Sequence, residues 1–172
     1  MPQNRWMVET ATGLSAAQAN FYGALPRSRL AAGALITSPA GDVLLVQPTY
    51  KPNREIPGGG VEAHEDAPSA CVRECREELG LSIAVGRLLV LDHQLDPAPR
   101  GDSIMFVYDG GVLAEPTGIV LPAAELSGYA FVAPADLDRF VIPRLARRIR
   151  NAIDARRDNR VIELTGGIAW PP

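Results

Sequence analysis

The stretch 57-PGGGVEAHEDAPSACVRECREELGL-81 decides how the rest of the chain is read. Gly58, Gly59 and Gly60 free the backbone for a tight loop that side chains would obstruct. Glu65 and Asp66 followed by Pro68 have the chemistry of a helix start, and Gly80 that of a helix end. A helix of about three to four turns is predicted between them. At about 100° per residue, Cys71, Val72, Cys75 and Leu79 share one sector, the predicted core side. Glu74, Glu77 and Glu78 share another, because three and four residues are one-turn spacings.

Three carboxylates on one helix face oppose one another. Like charges at i,i+4 repel by a few tenths of a kcal/mol, about the size of one favourable surface pair, and the macrodipole disfavours anions in the last turn, where Glu77 and Glu78 fall. A hard divalent cation with oxygen ligands, Mg2+ or Mn2+, would offset this, and Mg2+ commonly joins one or two carboxylates to a substrate phosphate. A solvated acidic face balanced by Arg73 and Arg76 would also offset it. Charge alone does not separate the two readings.

The complete spacing does more. From Gly59, five residues lead to Glu65 and seven more to Arg73-Glu74, followed by Cys75, Arg76, Glu77-Glu78, Leu79, Gly80 and Leu81. This resembles the Nudix box, G-x5-E-x7-R-E-U-x-E-E-x-G-U with U a bulky aliphatic residue. Every glycine and charged position is filled. The one departure is Cys75 at the first U position, a small apolar side chain suited to the core side.

The rest of the chain suits one α/β domain. Its 172 residues are enough for a substantial core, and 47% apolar with 22% charged residues is ordinary globular composition. A net charge of -3 gives no reason to expect general nucleic-acid binding. No apolar run is long enough for a membrane span, and Met1 to Trp6 lack the pattern of a leader, so a cytoplasmic protein is expected. Cys71 and Cys75 read as free thiols of a reducing compartment.

Residues 1–26 form an extension in which Ser15 caps a short helix ending near Gly23 or Pro26. Packing against the domain is its expected role, with a lid or a dimerisation arm as alternatives; a homodimer is compatible with the sequence. Residues 27–160 make the domain. Strands are predicted over 30–37 and 43–47 with a turn between, then over 82–91 with Gly86 as a bulge, over 104–108, and over 128–132. Residues 92–102 read as a polar loop holding His93 and Pro97, and 109–111 as part of a turn-rich link. A helix with a basic outer face is predicted over 143–157, and residues 161–172 as a tail, loosely held from Gly166 onward. Tyr50, Lys51 and Arg54, just before the glycines, are candidate substrate contacts: the two cations for a diphosphate, the ring for a base. Solvated loop residues are the alternative. His93 and His64 read as hydrogen-bonded surface histidines, with substrate contact or proton transfer as the alternative.

The Nudix resemblance implies a mixed-sheet α/β/α sandwich and a hydrolase that cleaves P-O-P links in nucleoside diphosphates joined to another moiety. It implies Mg2+, with Mn2+ as substitute, held by Glu74, Glu77, Glu78 and the carbonyl of Gly58. Glu74 and Glu77 are the catalytic candidates within the box; Glu125, Asp102 and Glu115 are candidate bases outside it. Glu65 and Arg73 are expected as an ion pair orienting the ligands. Pro97, sixteen residues past Leu81, leans toward ADP-ribose-like substrates, because family members that cleave ADP-ribose often carry a proline there. A nucleotide sensor without turnover and a hydrolase of non-nucleotide diphosphates are the alternatives.

Overall fold

The computed structural model describes residues 13–170. The first twelve residues of the N-terminal extension, and Pro171 and Pro172 of the tail, lie outside the described residues. Strand β1 (Arg29–Thr37) is central, and small residues at Ala31, Ala32, Gly33 and Ala34 give way to Leu35 and Ile36 toward its end. It turns through 38–42 into antiparallel β2 (Val43–Pro48), which it meets only at the Thr37–Val43 register. The two strands then diverge, and the glycine strand β3 (Gly58–Gly60) lies antiparallel to the first half of β1. Strand β5 (Ser103–Val112) pairs parallel to β1 on its other edge. Outward from β5 lie β4 (Leu88–Gln94), β7 (Ile162–Thr165) and β8 (Ile168–Ala169); β6 (Leu126–Val132) flanks β2.

Two helices cover this mixed eight-stranded sheet, giving the expected α/β/α sandwich. Helix α2 (Ala67–Leu79) buries Ala70, Cys71, Cys75 and Leu79 against Ile36, Leu44, Val46 and Tyr108. Its predicted signals all operate: the Asp66 carboxylate accepts from the Ser69 N–H, Pro68 sits in the first turn, and Gly80 closes the helix in the left-handed region. Val72 departs from the expected core side and is 41% exposed, because Cys71, Cys75 and Leu79 form the i,i+4 stripe and Val72 falls on its flank. Both cysteines are free thiols. On the opposite face, helix α3 (Pro143–Arg157) packs Leu145, Ile149 and Ala152 against Leu35, Val107 and Leu164.

Several boundaries move. No strand forms over 82–87; Ile83 and Val85 pack on the α2-side core, and Gly86 donates to the Asp109 carbonyl from outside the ladder. Strand β4 instead begins at Leu88 and continues through Asp92, His93 and Gln94, which shortens the polar loop to 95–102. Asp92 joins the strand because it is fully buried against Arg148, 56 residues away, a pairing no local signal announces. Asp109–Gly111 belong to β5 rather than to a turn. The tail starts as a strand: β7 pairs parallel to β4 and buries Ile162 and Leu164, and from Gly166 the chain turns into the short strand β8, whose two residues are exposed. Helix α1 (Ala16–Ala24) has its predicted Ser15 cap, but none of its residues is buried, so it does not pack on the domain as expected. Among the described residues, no helix is long and apolar enough to cross a membrane.

Candidate active site

The glycine strand fixes the geometry. Gly58 has φ 147°, and a Cβ there would collide with the Ala32 carbonyl and the Gly33 Cα across the β1 ladder. A Cβ on Gly59 would lie 2.5 Å from the carboxyl carbon of Glu74. The Glu74 carboxylate is thus seated against bare backbone. Helix α2 runs beside this strand so that Arg73 reaches Gly60, Glu74 faces Gly59 and Glu78 reaches Gly58.

Arg73 is the hub. Its Nε and Nη2 donate to the two oxygens of Glu65, each at 2.9 Å, in a bidentate pair. Nη1 donates to Glu74 at 2.8 Å and Glu77 at 3.1 Å, while Nη2 also donates to the Gly60 carbonyl at 2.9 Å. The Arg73 guanidinium holds the Glu65 carboxyl well below the usual carboxylate range, at about 2, helped by the Glu62 N–H. Glu65, with Glu74 and Glu77, in turn raises the Arg73 pKa. Loop and helix are locked by charge-assisted bonds.

Glu78 is different. Burial pushes its carboxyl up to about 7, against the hydrogen bond it accepts from the Gly58 N–H at 2.8 Å, and the charges of Glu74, Glu55 and Glu125 push the same way. Four carboxylates therefore surround the glycine strand with too little positive charge among them. Among the described residues, no three acidic, histidine or cysteine side chains already converge into a metal cage. The donor set is nevertheless hard oxygen with excess negative charge, which fits a divalent cation. Glu77, half exposed and held by Arg73, completes the carboxylates on the helix.

A cavity of about 840 Å3 opens beside this arrangement. Gly58 to Glu65 form one wall, β1 and the start of β5 another, and Leu145 and Arg148 of α3 close its far side. Tyr50, Lys51 and Arg54 lie off this lining: Tyr50 is 76% exposed, Lys51 pairs with Glu55 at 2.5 Å, and Arg54 stacks on Phe140. His64 lines the cavity, held at φ 64° in its loop, whereas His93 only meets Glu163 on the surface at 3.2 Å. Of the outside carboxylates, Glu125 is near enough to act on Glu78, and Asp102 precedes the lining residue Ser103. Glu115 follows Leu113, which bonds Thr37 at the opposite end of β1.

The model of the NUDIX domain matches residues 27–155. The chain belongs to the Nudix hydrolase family. A Bacillus subtilis (strain 168) protein with the provisional name 8-oxo-dGTP diphosphatase is 26% identical over 137 residues, covering 78% of this chain and 86% of that one. Human diphosphoinositol polyphosphate phosphohydrolase 3-alpha is 46% identical over 61 residues, 34% of this chain and 37% of its own length. The crystal structure of a UDP-X diphosphatase superposes with a TM-score of 0.68 at 19% identity, covering 88% of this chain and 75% of that one. The names of these three proteins carry different phosphate compounds.

Sequence reasoning missed the lining of this Nudix cavity outside the box. Arg29, Ser103, Met105 and Arg148 come together only through the parallel pairing of β1 with β5 and the docking of α3. One signal was present: Arg148 falls on the apolar stripe of α3 between Leu145 and Ile149, where a charge is out of place.

Proposed function

We propose that this Nudix protein hydrolyses the pyrophosphate link of a nucleoside diphosphate joined to another moiety, with Mg2+, or Mn2+ in its place, at Glu74, Glu77, Glu78 and the Gly58 carbonyl. The observation that carries this reading is Glu78, buried among Glu74, Glu55 and Glu125 beside a strand of bare glycine backbone. A divalent cation held there neutralises the charge on the bridging and terminal phosphate oxygens.

The protein's own groups do the rest. Gly58 to Gly60 line the cavity wall, and the space beside Gly60 is open for a diphosphate to lie close to the backbone. Arg73, tied to Glu65, keeps Glu74 and Glu77 aimed at that wall and acts as a positioning residue. Glu74 or Glu77 accepts the proton of the attacking water; Glu125 and Asp102 are the alternatives from outside the box. The adjacent cavity takes the nucleoside. The lean toward ADP-ribose-like compounds rests on Pro97, in the 95–102 loop whose Gly101 carbonyl meets Arg29 at the cavity edge.

The test is a panel of ADP-ribose, NADH, diadenosine polyphosphates and nucleoside triphosphates, assayed with and without Mg2+ for release of the two phosphate-bearing products by ion-exchange chromatography. Glu77→Gln and Glu78→Gln should each lower the Mg2+-dependent rate about 10²-fold or more. Activity within a few-fold of the parent in both variants would remove the metal-site assignment. Tight nucleotide binding with no release from any compound would favour a sensor.

A further inference from the structure

The cavity continues along the α3 face of the sheet, between Gly33, Ile56, Met105, Val107 and Leu145, and ends at Arg148. Gly33 makes this space: a Cβ there would already stand 3.0 Å from the Ile56 Cδ1 and from the Pro57 carbonyl. Arg148 is 6% exposed and Asp92 fully buried. The Arg148 Nε donates to Asp92 Oδ2 at 2.6 Å, and Asp92 Oδ1 accepts from the Gly167 N–H at 3.0 Å. Both oxygens of Asp92 are thereby used and the Arg148 charge is balanced. Among the described residues, no acceptor meets Arg148 Nη1 or Nη2.

A guanidinium carries five N–H donors in a planar fork, and one of the five is used here. Arg148 lines the cavity, and its two terminal nitrogens are not fully buried, so they are open to acceptors that a ligand in the cavity would bring. A purely structural role, tying α3 to β4 and the terminal hairpin, is fulfilled by Nε and leaves the fork unexplained. Because Asp92 has already cancelled the charge, the end of the cavity offers paired donors with little net attraction for an anion. Its chemical complement is a flat, neutral ring with two adjacent acceptors. Guanine presents O6 and N7 side by side, while adenine sets an amino donor next to N7, so donor would meet donor.

We infer that Arg148, held by Asp92, is a specificity-determining residue that reads the base of the substrate and selects guanine over adenine. This rests on the reading of the site as one for a nucleotide; it narrows that reading to one base and stands against the lean toward ADP-ribose-like compounds that Pro97 gives. Guanine enters between Ile56, Met105 and Leu145 with its O6/N7 edge on the fork, while its phosphates extend back toward Gly58 to Gly60.

The test uses binding to the full chain by calorimetry with the α,β-methylene diphosphates of guanosine and adenosine, whose bridging carbon cannot be hydrolysed. The guanosine compound should bind about tenfold or more tightly than the adenosine compound. Arg148→Lys keeps a cation opposite Asp92 but removes the fork; it should bring the two Kd values within about twofold while leaving the adenosine value in place. The 7-deazaguanine analogue, which lacks the N7 acceptor, tests the same contact without altering the protein and should bind at least about fivefold more weakly than its parent. Equal affinity for the two bases, no binding of either, full discrimination in Arg148→Lys, or undiminished binding of the 7-deaza compound would each overturn the inference. Should the lysine variant fail to fold by circular dichroism, the base comparison and the 7-deaza compound decide alone. Discrimination with no phosphomonoester product from the substrate panel extended with guanosine diphosphate-linked sugars would leave this inference standing and sink the hydrolase reading; product release without discrimination would do the reverse.

Discussion

Replacing Gly59 by alanine tests whether the glycine strand seats Glu74. The new Cβ would stand 2.5 Å from the Glu74 carboxyl carbon and 2.5 and 2.6 Å from its oxygens. Ordinary carbon contacts begin at about 3.5 Å, so the carboxylate must retreat by about 1 Å. Arg73 resists that retreat, because its Nη1 holds Glu74 at 2.8 Å while Nε and Nη2 are fixed on Glu65. A catalytic group misplaced by about 1 Å can lose about 10²-fold in rate, and overpacking at a partly buried site costs roughly 1 to 3 kcal/mol of stability. Gly60→Ala is the comparison, because a Cβ at that position meets nothing within 4 Å. The assay is divalent-cation-dependent release of the nucleoside monophosphate product from the best compound of the panel, together with thermal unfolding of both variants. The Gly59 variant should lose at least ten times more kcat/KM than the Gly60 variant. Equal losses, or Gly59→Ala within threefold of the parent, would refute the claim that bare backbone positions Glu74.

Glu78 predicts a pH dependence of the metal-free protein. Its folded pKa of about 7 lies above the ordinary value, so the folded state binds the extra proton between about pH 4.5 and 7, and stability is lost as pH rises through that window. In chelator, Glu78→Gln should therefore unfold at higher denaturant than the parent at pH 8, by on the order of 3 kcal/mol, and by much less at pH 4; added Mg2+ should narrow the gap at pH 8. Arg73→Lys keeps the charge but loses the fork shared by Glu65, Glu74, Glu77 and the Gly60 carbonyl, so kcat/KM should fall about 10²-fold, with the pH dependence of stability that Glu65 contributes above about pH 2 also weakened, as read by acid titration of the unfolding signal. Leu164→Ala in the terminal hairpin should cost about 2 to 5 kcal/mol in urea unfolding, because the side chain is fully buried against α3 and β4; a cost below 1 kcal/mol would mean the hairpin is not part of the core.

The box was legible because its signals are local. Asp66, Pro68 and Gly80 act on their own backbone within one or two turns, and the Glu65–Arg73 pair lies eight residues apart across a single loop and helix. The central strand and the hairpin turn at 38–42 were legible for the same reason. What misled was polarity taken one residue at a time. Asp92 and His93 read as loop, yet Asp92 is a buried strand residue because Arg148 and the Gly167 N–H meet both of its oxygens from far along the chain. The tail read as loose because Gly166 and Gly167 dominate its composition, but those glycines make the turn between β7 and β8. Tyr50, Lys51 and Arg54 adjoin the box in sequence and lie off the cavity lining in space.

By itself, the sequence determined the acidic helix face and the box, since both are set by spacing along one helix and one loop; the sandwich followed from the family resemblance that the box carries. The tertiary structure decided that Gly59 is the seat of Glu74, that Glu55 and Glu125 share the charge environment of Glu78, and that the cavity ends at an arginine balanced by Asp92. Those relations depend on which strands pair and where α3 docks, contacts between residues tens of positions apart that no local spacing encodes.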